Sequence, residues 1–151
     1  MNDRSREDSS TIRISAESRD VVSKMKEHDL LSLGVGEGDS NTKDIYLLAV
    51  ALGLGAPAEK MGDPRAWTRA SYFELEDKAL IRAVMLGTLD NAENIAAHCD
   101  LKEAFNYCSQ FTNAGFRRID EFAADANYDP DLMVRKMLDH VAEKYDELIK
   151  D

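Results

Sequence analysis

The chain has 151 residues, of which 44% are apolar, and a formal net charge of −10 from 29 acidic and 19 basic side chains. That length and apolar share suit one domain with a real core, or one domain with an added helix. The charge disfavours a nonspecific grip on the DNA backbone, since such affinity comes from lysine and arginine displacing counterions, and it favours solubility and basic partners. The excess is uneven: residues 120–151 carry ten acidic against four basic side chains, whereas residues 1–28 balance at six of each.

Residues 1–10 are polar and are expected to be disordered. They hold no apolar stretch of the signal-peptide kind, so a cytoplasmic location is expected. Ile12 and Ile14 then alternate with Thr11 and Arg13, the period of a half-buried strand. Ser15 is placed to cap a following helix, with Glu17 in its first turn where the helix dipole favours negative charge. Val21, Val22 and Met25 mark one face of that helix, which ends near His28. The stretch Ser32 to Asn41 is glycine-rich but lacks the lysine and hydroxyl residue of a phosphate loop and the spacing of a dinucleotide fingerprint. It reads as a flexible connection.

A second helix, capped by Ser40 or Asn41, carries Ile45, Leu48, Ala49 and Leu52 and stops at Gly53 and Gly55. Its apolar character nearly all round predicts a central position in the core. Its greasiest run, Ile45 to Leu52, is too short to cross a bilayer. Residues 53–70, with Pro57, Pro64 and Trp67, read as a long connection. Ser71 to Glu74 form a capping-box pattern ahead of a helix buried through Leu80, Ile81, Val84 and Met85. Asp90 opens a short helix through about His98. Asp100 opens a long one with Leu101, Phe105, Cys108, Phe111, Gly115, Ile119 and Phe122 near one face. Gly115 inside that helix costs up to about 1 kcal/mol against alanine, and close approach of another helix is the usual compensation. Asp129-Pro130 starts the last helix, carried by Met133, Met137, Val141, Tyr145 and Leu148. The fold class expected is mainly α, a compact helical domain of about five to six helices with one short N-terminal strand. The expected organisation is a disordered 1–10, a helical core over 11–125, and an acidic C-terminal helix over 126–151 packed on or beside the core.

Chemistry-bearing patterns are sparse. His28, His98 and His140 fall on three different predicted helices, and no CxxC, HxxxH or HExxH spacing occurs. Cys99 and Cys108 lie on different turns and are expected to stay reduced. Pairs such as Glu74 with Asp77, or Asp139 with Glu143, share a helix face without the Glu-x-x-His of a carboxylate metal site. No serine sits in a nucleophile elbow. No enzyme class, metal or cofactor is expected.

Two basic groups are candidates for phosphate contact: Arg65 and Arg69 around Trp67, and Arg117-Arg118 behind Phe116. Arg117 or Arg118 with Glu121 would equally make an ordinary helix-surface pair. The opening strand followed by a helix resembles the start of a ribbon-helix-helix protein, in which Thr11, Arg13 and Ser15 would face bases, although such a domain is far shorter than this chain. A strand that pairs for structure alone, within or between subunits, is the other reading.

Three segments in order are similar to small proteins of DNA phosphorothioation (Dnd) systems, the E subunit or a related Dnd-associated family. They are Thr11 to Ser15 with Val21 to Lys26 behind it, Asp44 to Gly53, and Phe111 to Phe116. The resemblance spans about Thr11 to Phe122 and leaves out the last helix. It implies a mainly helical, non-enzymatic accessory component of a modification or associated restriction defence system. Such a component would act by contacts with other proteins of that system and by contacts with duplex or nicked DNA, and would form a homo-oligomer. Nucleic-acid contact is expected at Arg13, Arg65, Arg69, Arg117 and Arg118, and subunit contact at Ile12, Ile14 and Gly115. The acidic surface departs from the basic DNA-binding surface that the resemblance implies. The alternative expectation is an acidic interaction module or inhibitor that offers its C-terminal helix to a basic partner.

Overall fold

The computed structural model describes residues 10–30, 40–88 and 100–150, except for the side chains of Ser40 and Asn41. The glycine-rich connection, the helix expected after Asp90, Cys99 and most of the N-terminal segment lie outside the described residues. Within them the fold is mainly α, with six α-helices and a two-stranded sheet.

Strand β1 (Thr11–Ile14) buries Ile12 and Ile14 and exposes Thr11 and Arg13, as its alternation requires. Helix α1 (Ala16–Glu27) follows at once, its first turn capped by the Ser15 hydroxyl, which accepts the Ser18 N–H at 3.1 Å. Helix α2 (Ser40–Gly53) already includes Ser40 and Asn41, so neither stands ahead of it as a cap. It buries Ile45, Tyr46, Ala49 and Val50, and Gly55 takes a positive φ of 91° just beyond its end.

The expected long connection stops at Pro64. Arg65–Arg69 is a strand, β2, antiparallel to β1 with Thr11 opposite Arg69, Ile12 opposite Thr68, Arg13 opposite Ala66 and Ile14 opposite Arg65. A bulge between Ile12 and Arg13 leaves Trp67 out of this register. Arg-Ala-Trp-Thr-Arg has no apolar alternation to announce a strand; its partner, more than fifty residues earlier, supplies the edge it pairs with. Trp67 Nε1–H donates to the Thr42 carbonyl at 2.9 Å and the Thr42 hydroxyl donates to Thr68 Oγ1 at 2.9 Å, so β2 docks on the first turn of α2.

One 3-10 turn, Ala70–Tyr72, leads to α3 (Leu75–Thr88). The helix therefore begins four residues after Ser71, and its cap is different: the Asp77 carboxylate reaches back to accept the Glu74 N–H at 2.9 Å. Ile81 and Met85 are buried as expected, while Leu80 is exposed.

The long helix expected after Asp100 is two. Asp100 caps α4 (Leu101–Ser109) by accepting the N–H groups of Lys102 and Glu103. Gln110 and Phe111 then bond three residues back, to Tyr107 and Cys108, and the Thr112 hydroxyl donates to the Ser109 carbonyl at 2.8 Å. That tightened turn ends one helix before α5 (Thr112–Asp125) starts. Asn127 and Tyr128 both take positive φ, and the chain reverses into α6 (Pro130–Ile149), capped by Asp129 through the Leu132 N–H at 2.8 Å.

The core lies where α2 crosses α5, with α1 and the sheet against one side and α3 with α4 against another. Buried polar groups are matched in place. Ser15 and Ser18 both donate to Asn113 Oδ1, joining the start of α1 to α5. Tyr46 bonds Ser109 at 2.8 Å between α2 and α4.

Candidate functional site

Two surfaces stand apart from this packed body, and the first is α6. Helices α1, α4 and α5 turn their apolar stripes inward. On α6 only Met133 is buried, Met137 is partly covered, and the His140 ring rests edge-on at 5.5 Å from Phe122 of α5. Val134, Leu138, Val141, Tyr145, Leu148 and Ile149 are exposed, Leu138 by 62% and Leu148 by 78%. Of the row expected to carry the last helix, Met133 and Met137 meet the body, Met133 buried and Met137 partly so. Val141, Tyr145 and Leu148 face away from the body. The helix meets α5 along Met133, Met137 and His140, and at about 100° per residue the second apolar row lies roughly a third of a turn round from that line.

Where α6 passes the end of α2, an open groove of about 390 Å³ runs over Leu52, Leu54, Ala56 and Ala114 with Arg118, Glu121 and Lys144 at its edges. Its ionisable groups are engaged: Arg118 reaches Glu121 at 3.2 Å and Lys144 reaches Glu147 at 2.8 Å.

The second surface is the outer face of the sheet. The antiparallel pairing brings Arg13 and Arg69, distant in sequence, onto one face with Thr11. Thr11 stands opposite Arg69 and Arg13 opposite Ala66, so the two arginines lie diagonally across the ribbon on either side of the bulge. Neither has an ion-pair or hydrogen-bond partner among the described residues. Arg65 sits at the end of the strand, 3.6 Å from Asp63, a carboxylate that Arg19 also holds at 3.2 Å.

The two remaining arginines go elsewhere. Arg117 is a clamp: Nη2 donates to Glu17 at 2.9 Å and Nη1 to Glu59 at 2.8 Å, tying α5 to the start of α1 and to the connection after α2. The hydrogen bond to Glu17, then that to Glu59, raises the guanidinium above its already high range, and the same contact holds Glu17 below the usual carboxylate value. Arg118 makes the expected pair with Glu121. The five candidate arginines do not form one patch.

The expected subunit contacts fall inside the chain. Ile12 and Ile14 are buried beneath the sheet, and β1 finds its partner strand in the same chain. Gly115 is covered by α2, the close helix approach that its sequence position predicted. A strand this short, once paired within the chain, has its apolar side in use. The signal that did mark an outer face was the four-three spacing on the last helix, which the sequence placed on or beside the core without saying which side it turns outward.

Among the described residues no three histidine, cysteine or acidic side chains group to hold a metal ion, and no helix is long and apolar enough to cross a membrane. Burial pushes the Cys108 thiol up to about 12, so it stays protonated, its Sγ 3.6 Å from the Ile81 carbonyl oxygen. No protein-family model, curated protein or solved structure matches the chain.

Proposed function

We propose that the protein is a non-enzymatic accessory component of a DNA-modification (phosphorothioation) or associated restriction system, acting by protein contacts through the outer face of α6. One observation carries the contact part of this reading. A capped, twenty-residue helix leaves seven large apolar side chains outside, Leu132 among them, while α1, α4 and α5 bury theirs. Contiguous apolar surface of that kind marks a binding face. The placement in a DNA-modification system rests on the three resembling segments alone.

The test is co-expression with the products of the adjacent genes. The wild-type chain should co-purify with at least one of them, and Leu138→Ser with Val141→Ser should abolish that association while far-ultraviolet circular dichroism stays unchanged. Association undiminished by the double variant would remove α6 as the contact face.

A second reading, local DNA contact, is favoured by the unpaired Arg13 and Arg69 on one ribbon face, since a two-stranded ribbon fits the major groove. Gel shift of nicked and intact duplex across a salt series tests it. Arg13→Ala with Arg69→Ala should weaken binding and flatten its salt dependence. Absence of any shift near roughly 50 mM salt counts against it.

A further inference from the structure

We propose that the exposed row of α6 pairs antiparallel with the same row of a second copy of this chain, and that Arg135 meets Asp146 of the partner subunit at each end of the seam. This inference rests on the reading of α6 as a contact face.

Three observations choose this occupant. The first is spacing. Val134, Leu138, Val141, Tyr145 and Leu148 follow one another at intervals of four, three, four and three, the repeat by which one helix meshes with another. All five are exposed. The row is about 21 Å long at 1.5 Å per residue, enough for two full heptads.

The second is area. Six exposed apolar side chains at on the order of 100 Å² each approach the ~800 Å² per partner of a standard interface. The five side chains of the seam, with Ile149 beside them, reach the lower end of what a stable dimer needs.

The third is charge. Arg135 and Asp146 are eleven residues apart, close to three turns, and so lie along one edge of the row. Neither has an ion-pair partner among the described residues. A two-fold axis between Leu138 and Val141 sets Leu138 against the partner's Val141 and Val134 against the partner's Tyr145. It brings Arg135 alongside the partner's Asp146, and by symmetry the reverse, so the surface is self-complementary. Parallel pairing would leave the two charges about 16 Å apart along the axis and crowd both acidic C-terminal turns together. Antiparallel helix dipoles also favour the first arrangement.

Sedimentation equilibrium of the full chain over a wide concentration range decides the matter. The wild type should show a monomer–dimer equilibrium. Leu138→Asp should be a folded monomer. Arg135→Asp and Asp146→Arg should each weaken the dimer, by about three- to tenfold in Kd, and the double exchange should restore it.

A wild type that stays monomeric at millimolar concentration overturns the second copy as occupant, and leaves the protein-contact reading to the co-expression test. A dimer that survives Leu138→Asp places the interface elsewhere and overturns the seam. Charge variants that weaken singly without recovery in the double exchange, or that change nothing, overturn the antiparallel arrangement.

Discussion

Gly115 of α5 lies so close to Ala49 of α2 that a Cβ on the glycine would overlap the alanine carbonyl. The contact is reciprocal one turn along, where Gly53 of α2 meets the Phe111 carbonyl in the same way. Two glycines let the two helix backbones touch at the centre of the core, which brings Tyr46 and Val50 of α2 and Phe116 and Ile119 of α5 into full burial. Gly115→Ala regains up to about 1 kcal/mol of helix propensity. It also forces the two helices apart, at a cost of roughly 1–3 kcal/mol or more for overpacking. The overlap is with backbone, which cannot swing aside, so the loss wins. Thermal denaturation should show a midpoint several degrees lower, taking about 2–4 °C per kcal/mol at this chain length. Gly87 supplies the control: it lies in α3 with open space around it, and Gly87→Ala should hold or raise the midpoint. Equal midpoints for Gly115→Ala and wild type would contradict the packing described.

Lys43 and Asp77 form a largely covered ion pair, 2.9 Å apart between α2 and α3. The lysine hydrogen bond is the main influence holding Asp77 below its ordinary 3.8; burial opposes it and the Glu74 N–H assists. The same bond raises Lys43 above 10.5. A lowered carboxyl stabilises the fold above its unfolded pKa, and that contribution disappears as pH falls through the folded value. A raised lysine stabilises below 10.5 and loses its contribution as pH climbs through the folded value. The pair therefore acts across the neutral range and fails at both extremes. Asp77→Asn should cost about 1 kcal/mol at pH 7, measured by urea unfolding. The difference from wild type should shrink toward zero as acid protonates Asp77 in both folded and unfolded chains. A difference independent of pH would assign the cost to the lost cap instead.

Three helix caps were legible in the sequence, although the Ser71 to Glu74 pattern does not cap α3. Ser15, Asp100 and Asp129 cap the helices expected of them, because capping is decided by one side chain and the next three residues. Non-local signals were not. Arg65 to Arg69 become a strand only because β1 lies beside them, and no pattern within five residues carries that information. The break at Gln110 hides inside a continuous apolar period, since α4 and α5 both bury the same side of the sequence repeat. The face of α6 was legible as a spacing but not as a location, because a row that fits a core and a row that fits a partner helix have the same period. The candidate arginines divided for a similar reason. Arg13 and Arg69 share a face through strand pairing, whereas Arg117 is taken up by Glu17 and Glu59 from distant segments.

Cys108 provides a probe of opening at the junction of α3 and α4. It is fully buried, and its thiol is shifted up to about 12 by that burial. In a Cys99→Ser background, the remaining thiol should resist an aromatic disulfide reagent at pH 8 in the native protein and react at once in denaturant. The native rate should then rise in parallel with destabilisation by Gly115→Ala, because both report opening of the same core. Immediate stoichiometric labelling of the native protein would show that α3 does not cover the thiol.

A charge at Ile14 separates a buried strand from a subunit contact. Ile14 is wholly enclosed between the sheet and the helices, opposite Arg65 in the register. Ile14→Asp would place a carboxylate among the apolar side chains of the core, and burying an unpaired charge costs several kcal/mol. That is a large share of the roughly 5–15 kcal/mol stability of an ordinary domain. Leu138→Ser on α6 removes a side chain that contributes little to the body, so its effect on monomer stability should stay within about 0.5 kcal/mol. Circular dichroism and urea unfolding at low concentration, where association does not contribute, should find the first variant unfolded or badly destabilised and the second indistinguishable from wild type. A folded, fully stable Ile14→Asp would mean that β1 does not seal the core. A strongly destabilised Leu138→Ser would mean that the outer row of α6 is already in use within its own chain.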